Sequence, residues 1–166
     1  MNEVDDVCAG YMGVTKLWST VEPVCESVSF FHAATGQTIG EDASCWLHAL
    51  AATKPGEAAL GMLANPPDYS IILRLFSSRL QRVLDAGIKP FFVFDGVRPG
   101  AKAMTDEARS IERKTAAEAA RALMTAGDRT QAAKHAIKAV HIKDELVYLI
   151  VHKLLRPKGI GEPSLL

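Results

Sequence analysis

The run Lys89-Pro90-Phe91-Phe92-Val93-Phe94 constrains the fold of this chain more than any other segment. Phe91 to Phe94 are aromatic or β-branched in unbroken succession, and the run, bounded by Gly87 before and Asp95-Gly96 after, predicts a strand buried on both faces, as in parallel sheets. Upstream, Ile71 to Ala86 sets Ile72, Leu75, Phe76, Leu80, Val83 and Leu84 at helical spacing, with Arg74, Arg79 and Arg82 on other faces; Gly87 then ends the helix. Earlier still, Gln37 to Glu41 predicts a short strand, and Asp42, a favoured N-cap, opens an apolar helical segment through about Thr53. A strand, a crossover helix and a second strand imply parallel pairing, and ligands of such sheets gather at the carboxyl ends of the strands. Asp42 and Asp95 both fall there. Lys54 to Ser70, which holds Pro55, Pro66 and Pro67, predicts a loop with one helical turn in it.

From Ala101 onward the pattern is helical throughout: one helix to about Thr125, a break at Ala126-Gly127-Asp128 with Asp128 as cap, and a second helix from Arg129 to Leu155. Arg156-Pro157-Lys158-Gly159 closes it, and Glu162 to Leu166 is too short to predict an element. Charge follows the same division. Residues 1–96 carry 6 Lys/Arg against 11 Asp/Glu, and residues 97–166 carry 13 against 8. An acidic part able to hold a divalent cation, joined to a basic part able to attract phosphate, suits a nucleic-acid enzyme; a solvated helical surface gives the same asymmetry.

With 166 residues, 48% of them hydrophobic, the chain is long enough for one globular domain with its own core. Cys8, Cys25 and Cys45 show no Cys-x-x-Cys and no paired spacing, so neither a disulfide framework nor a zinc site is expected. No signal-peptide pattern opens the chain, and no apolar stretch is long enough to span a bilayer, so a soluble intracellular protein without membrane contact is expected.

Met12-Gly13-Val14 with Leu17-Trp18, then Asp42-Ala43-Ser44-Cys45-Trp46-Leu47-His48, then Gly87 through Gly96, resemble in order and spacing the N-terminal half of the Rad2/XPG family of structure-specific 5′ nucleases. Cys45-Trp46-Leu47-His48 is most similar to the exonuclease 1 branch. The resemblance implies an α/β fold with a parallel-sheet, PIN-like core and a long helical arch over residues of about 97–155. Its boundaries would be residues 1–11 as an extension, 12–159 as the nuclease segment and 160–166 as a divergent tail.

The implied reaction is hydrolysis of DNA at a free 5′ end, a flap or a recessed end, in nuclear repair or recombination. Its cofactor would be Mg²⁺, with two ions about 3.5–4 Å apart in the complete family site. Asp42 and Asp95 would be metal ligands, although either residue taken alone also suits a helix cap or a turn. Lys102 and Arg109 would contact the scissile phosphate and stabilise transition-state charge, and His48 would stack on a nucleotide. Lys102, Arg109 and Arg113 project within about 40° of one another on an ideal helix, forming a basic stripe that an ordinary solvated face would equally give, and Arg98, Arg113, Lys114, Arg121, Lys134 and Lys138 would add backbone contacts to DNA. Glu41 adds a charge beside Asp42 at a position usually apolar in the family.

The family's further carboxylates and its helix-hairpin-helix have no counterpart in the sequence, so a truncated and incomplete nuclease is expected. Two other readings stay open: an inactive fragment that binds DNA or a partner, and a helix-rich interaction domain whose two charged halves are only surface.

Overall fold

The computed structural model describes residues 19, 21–24, 29–53, 55–95, 103–160 and 164–165. Met12-Gly13-Val14, Leu17-Trp18, Cys8, Cys25, Arg98, Lys102 and Glu162 lie outside the described residues. A short helix α1 (Phe30–Ala34) leads through a turn into strand β1 (Thr38–Asp42), and helix α2 (Ala43–Ala51) follows with no intervening loop. Asp42 makes that junction abrupt: extended at φ −72°, ψ 108°, it accepts a hydrogen bond from the Cys45 N–H and so satisfies one orphan donor of the new helix. Helices α3 (Glu57–Leu63) and α4 (Ser70–Asp85) then carry the chain to strand β2 (Lys89–Phe94).

β1 and β2 pair in parallel with Thr38 opposite Lys89 and Asp42 opposite Val93. Gly87 sits at φ 74°, a conformation only glycine adopts cheaply, and this lets the chain leave α4 and enter the ladder at once. A third strand, β3 (Ser164–Leu165), pairs in parallel with Val93 and Phe94 of β2, giving the order β1-β2-β3. This strand lies in the segment that is too short for the sequence to predict an element. Two residues suffice because the ladder on β2 is already in place.

α4 buries Ile72, Phe76, Leu80 and Val83, the stripe expected from its spacing. Phe76 meets Trp46 of α2 and Phe92 of β2 in a three-ring cluster with centroids 4.9 to 5.5 Å apart. Each such ring contributes about 1.5–3 kcal/mol by leaving water. β2 departs from the expected two-sided burial. Pro90, Phe92 and Phe94 are buried, but Lys89 and Phe91 are exposed, so among the described residues the sheet has one covered face. An apolar run alone does not tell which face is covered.

Residues 55–70 also hold more helix than expected. α3 runs for two turns and buries Ala58, Ala59, Leu60 and Met62. Its start depends on close packing: a Cβ at Gly56, which has φ 81°, would lie 2.9 Å from the Ala133 Cβ, so glycine allows the later helix α6 (Arg129–Ala139) to approach. The pair is clamped by Arg129, whose Nε donates to Glu57 Oε1 at 2.9 Å.

The C-terminal part begins with α5 (Ala103–Thr125), joined to α6 through Gly127 at φ 83° and Asp128, which caps α6 by accepting from the Gln131 N–H at 3.0 Å. The expected second helix of 129–155 is two. α6 stops at Val140, which is extended (φ −55°, ψ 127°), and α7 (Asp144–Ile150) restarts after Lys143, with Asp144 and Glu145 in its first turn. Acidic residues there complement the positive end of the helix. α7 runs on as a π turn (Val151–Leu155) and a 3₁₀ turn (Arg156–Lys158), and buries Leu146, Ile150 and Leu155 in the main core. No helix among the described residues is long and apolar enough to cross a membrane.

Candidate active site

Strand alternation decides which side chains meet. Asp42 lies opposite Val93, and Asp95 is two residues beyond Val93, so the pleat sets both aspartates on the open side of the sheet at adjacent strand ends. Both are exposed. The first turn of α2 ties them together: the Ser44 hydroxyl donates to Asp95 Oδ2 at 2.9 Å, while Asp42 receives the Cys45 N–H on Oδ1 at 2.9 Å and the Cys45 thiol on Oδ2 at 3.3 Å. A carboxylate has about four acceptor positions, so capping and cation binding are compatible roles for Asp42.

The same alternation corrects the reading of Glu41 as a charge beside Asp42. Glu41 points to the other face, where it accepts the Trp46 indole N–H at 2.8 Å. Arg79 lies 4.5 Å over the Trp46 ring. Partial burial raises the Glu41 pKa, opposed by the Trp46 hydrogen bond and the Arg79 charge.

A cavity of about 550 Å³ opens beside Asp95. Ser44, His48, Phe94 and Asp95 form one wall, and Arg113, His141, Lys143, Asp144 and Val147 form the other. His48, one turn beyond Ser44 on α2, is exposed at its edge but crowded by the surrounding walls. Burial is the first cause lowering its pKa, followed by the charges of Arg113 and His141; Asp42 and Asp95 act in the opposite sense. Arg113 is half-buried, donates from Nε to the Arg109 carbonyl at 3.2 Å, and has Nη1 3.5 Å from His141 Nδ1.

Of the basic stripe expected on α5, Arg113 reaches the cavity, whereas Arg109 and Lys114 are exposed on the helix outside its lining. Ser44, His141, Lys143 and Asp144 were not anticipated as site residues. Ser44 sits inside a recognised motif, and its spacing to Asp42 favours a first-turn position. The other three reach the cavity only because the helix breaks at residues 140–143. Val140 and Ile142 before Asp144-Glu145 signal that break, since β-branched residues followed by acidic ones suit a helix restart.

Asp95, which lines the cavity, and Asp42 at the neighbouring strand end offer hard oxygen donors suited to a divalent cation, and the facing wall offers Arg113, His141 and Lys143 for an anion beside the carboxylate of Asp144. Among the described residues no group of three or more His, Cys, Asp or Glu could hold a metal ion, so two aspartates alone would leave most coordination positions to water or further ligands.

Residues 12–116 match the XPG N-terminal domain. Flap endonuclease 1 of Drosophila grimshawi is 31% identical over 136 residues, which cover 82% of this chain and 35% of that protein. Exonuclease 1 of Drosophila melanogaster is 28% identical over 118 residues, covering 71% of this chain and 15% of the relative. Exodeoxyribonuclease 1 of Schizosaccharomyces pombe is 28% identical over 149 residues, covering 90% and 25% respectively. The chain thus spans about a third or less of the length of these relatives. Matched through its XPG N-terminal domain, this chain belongs to the Rad2/XPG family of 5′ nucleases.

Proposed function

We propose that this chain supplies the N-terminal portion of a structure-specific 5′ nuclease that hydrolyses DNA phosphodiesters near a free 5′ end, in nuclear DNA repair or recombination. The observation that carries the reading is Asp42 and Asp95 at the carboxyl ends of adjacent parallel strands, with Asp95 lining a cavity whose other wall holds Arg113, His141 and Lys143. Asp42 and Asp95 would hold Mg²⁺. When bound, the cation polarises a phosphodiester and makes water easier to deprotonate. Ser44 fixes the Asp95 carboxylate through its 2.9 Å hydrogen bond. His48, kept neutral to lower pH by its surroundings, offers a flat face for stacking on a base. Arg113 neutralises phosphate at the cavity, and Lys102 with Arg109 would reach the scissile phosphate from the arch of about 97–155. Arg98 and Lys114 would hold the DNA backbone without reading its sequence.

Flap endonucleases and exonucleases both occur among the relatives at similar identity, so the reading covers both substrate shapes. The test is cleavage of a 5′-labelled recessed duplex and a 5′ flap by the full chain in Mg²⁺. Cleavage that EDTA and Asp95→Ala abolish, and that Arg109→Ala reduces by about 10²-fold or more, supports this reading and shows that this portion assembles a working metal site, overturning the expectation of an incomplete one. A second reading, DNA binding without turnover, is favoured because among the described residues no group of three or more His, Cys, Asp or Glu could hold a metal ion. Under it the folded chain binds both DNAs with steep salt dependence and leaves them intact.

A further inference from the structure

A second cavity, of about 330 Å³, adjoins the first across the loop between α6 and α7, and His141 and Lys143 line both. Its character is different. The first cavity has Asp95 and Asp144 in its lining, whereas the second, among the described residues, is lined by no carboxylate. Arg121 of α5 joins His141 and Lys143 as a third basic group; Met62 and Leu63, from the last turn of α3, give an apolar floor, and Asn65 stands at its edge.

Each part selects something about the occupant. Three basic groups with no carboxylate favour an anion, and the planar guanidinium of Arg121 suits phosphate in particular. With Arg113 donating to Nδ1 of His141, a neutral ring keeps its proton on Nε2, which is then a donor. The apolar floor excludes a bare inorganic anion as the best fit and favours a ligand with a flat, weakly polar body. Asn65 can both donate to and accept from a base edge. The volume is at the lower end of that of ordinary small-molecule sites, about 300–1,000 Å³.

We infer that the second cavity is a subsite for one nucleotide, with its phosphate held by Arg121 and Lys143 and its base laid on Met62 and Leu63. This rests on the nuclease reading only for the origin of the nucleotide, which is either the end of a bound strand or a released product. Continuity through His141 and Lys143 gives both sources a path from the first cavity.

The test is titration of the full chain with 2′-deoxyadenosine 5′-monophosphate in EDTA, followed by NMR shifts, with deoxyadenosine and inorganic phosphate titrated separately. Saturable binding of the nucleotide, weaker for either half alone, is expected. Arg121→Ala and Lys143→Ala are each expected to weaken it about tenfold, the size of one charge-assisted hydrogen bond, with Arg121→Lys in between and Asp95→Ala without effect. These basic residues are exposed, so their variants retain the core; circular dichroism checks this. The inference is overturned if the nucleotide does not saturate the chain, if both alanine variants bind like the parent, or if Asp95→Ala abolishes binding. A 5′-phosphorylated oligonucleotide that displaces the nucleotide marks a strand end as the source; failure to displace marks the released product, and both results keep the subsite. Because EDTA silences the metal site, loss of this inference leaves the nuclease reading standing. Nucleotide binding without DNA cleavage would count against the nuclease reading alone.

Discussion

Asp42 has two roles in this structure that one pair of substitutions separates. It caps α2 through the 2.9 Å bond from the Cys45 N–H, and it presents a carboxylate beside Asp95. Asparagine caps a helix about as well as aspartate does, whereas alanine loses about 1 kcal/mol. Asp42→Asn is therefore expected to unfold within about 0.5 kcal/mol of the parent without metal, and Asp42→Ala about 1 kcal/mol earlier. Metal adds the second comparison. A cation at ten times its dissociation constant stabilises the folded chain by about 1.4 kcal/mol, which raises Tm by about 3–6 °C in a chain of this size. That rise is expected in the parent and absent from both variants. Thermal melts followed by circular dichroism, with EDTA or with increasing Mg²⁺, measure all of it. An Asp42→Asn protein that shows the parent's full Mg²⁺ shift would refute the assignment of this carboxylate to the cation and leave Asp42 as a cap.

Phe92→Ala, which empties the centre of the three-ring cluster, is expected to cost about 3–5 kcal/mol in urea unfolding, whereas Phe91→Ala, on the open face at 40% exposure, costs far less; equal losses would contradict one-sided burial of β2. His48 has a lowered pKa, so the unfolded chain takes up its proton first and stability falls as pH drops through the ordinary imidazole range. His48→Gln is expected to flatten the change in urea midpoint between about pH 7.5 and 5.5, and an unchanged slope would remove His48 as its source. A Cβ at Gly61 would lie 2.6 Å from the Asp68 carbonyl oxygen, whereas one at Gly40 meets nothing within 4 Å. Gly61→Ala is accordingly expected to destabilise by about 1–3 kcal/mol, with Gly40→Ala near neutral in the same assay.

The parallel pair was legible because its signals are local. Asp42 is both strand end and helix cap, Gly87 marks the stop of α4, and the apolar run of 89–94 matches β2 residue for residue. Other features depend on neighbours distant in sequence. α3 lies between Pro55 and Pro66-Pro67, which make the segment read as a loop, and forms where Gly56 admits Ala133 of α6. The direction of Glu41 follows from strand register, which composition does not fix. The basic wall was half visible: Arg113 follows from helical spacing, but His141 and Lys143 join it through a helix break that periodicity alone runs across.

The central claim is that Asp42 and Asp95 together hold a divalent cation, and paramagnetic broadening tests it most directly. Mn²⁺ titrated into the full chain is expected to broaden the amide resonances of Ser44, Cys45 and Asp95 first and to saturate, with Mg²⁺ reversing the effect and Asp95→Ala abolishing it. Broadening centred elsewhere, for example at Glu57, or unchanged by Asp95→Ala, would contradict the account.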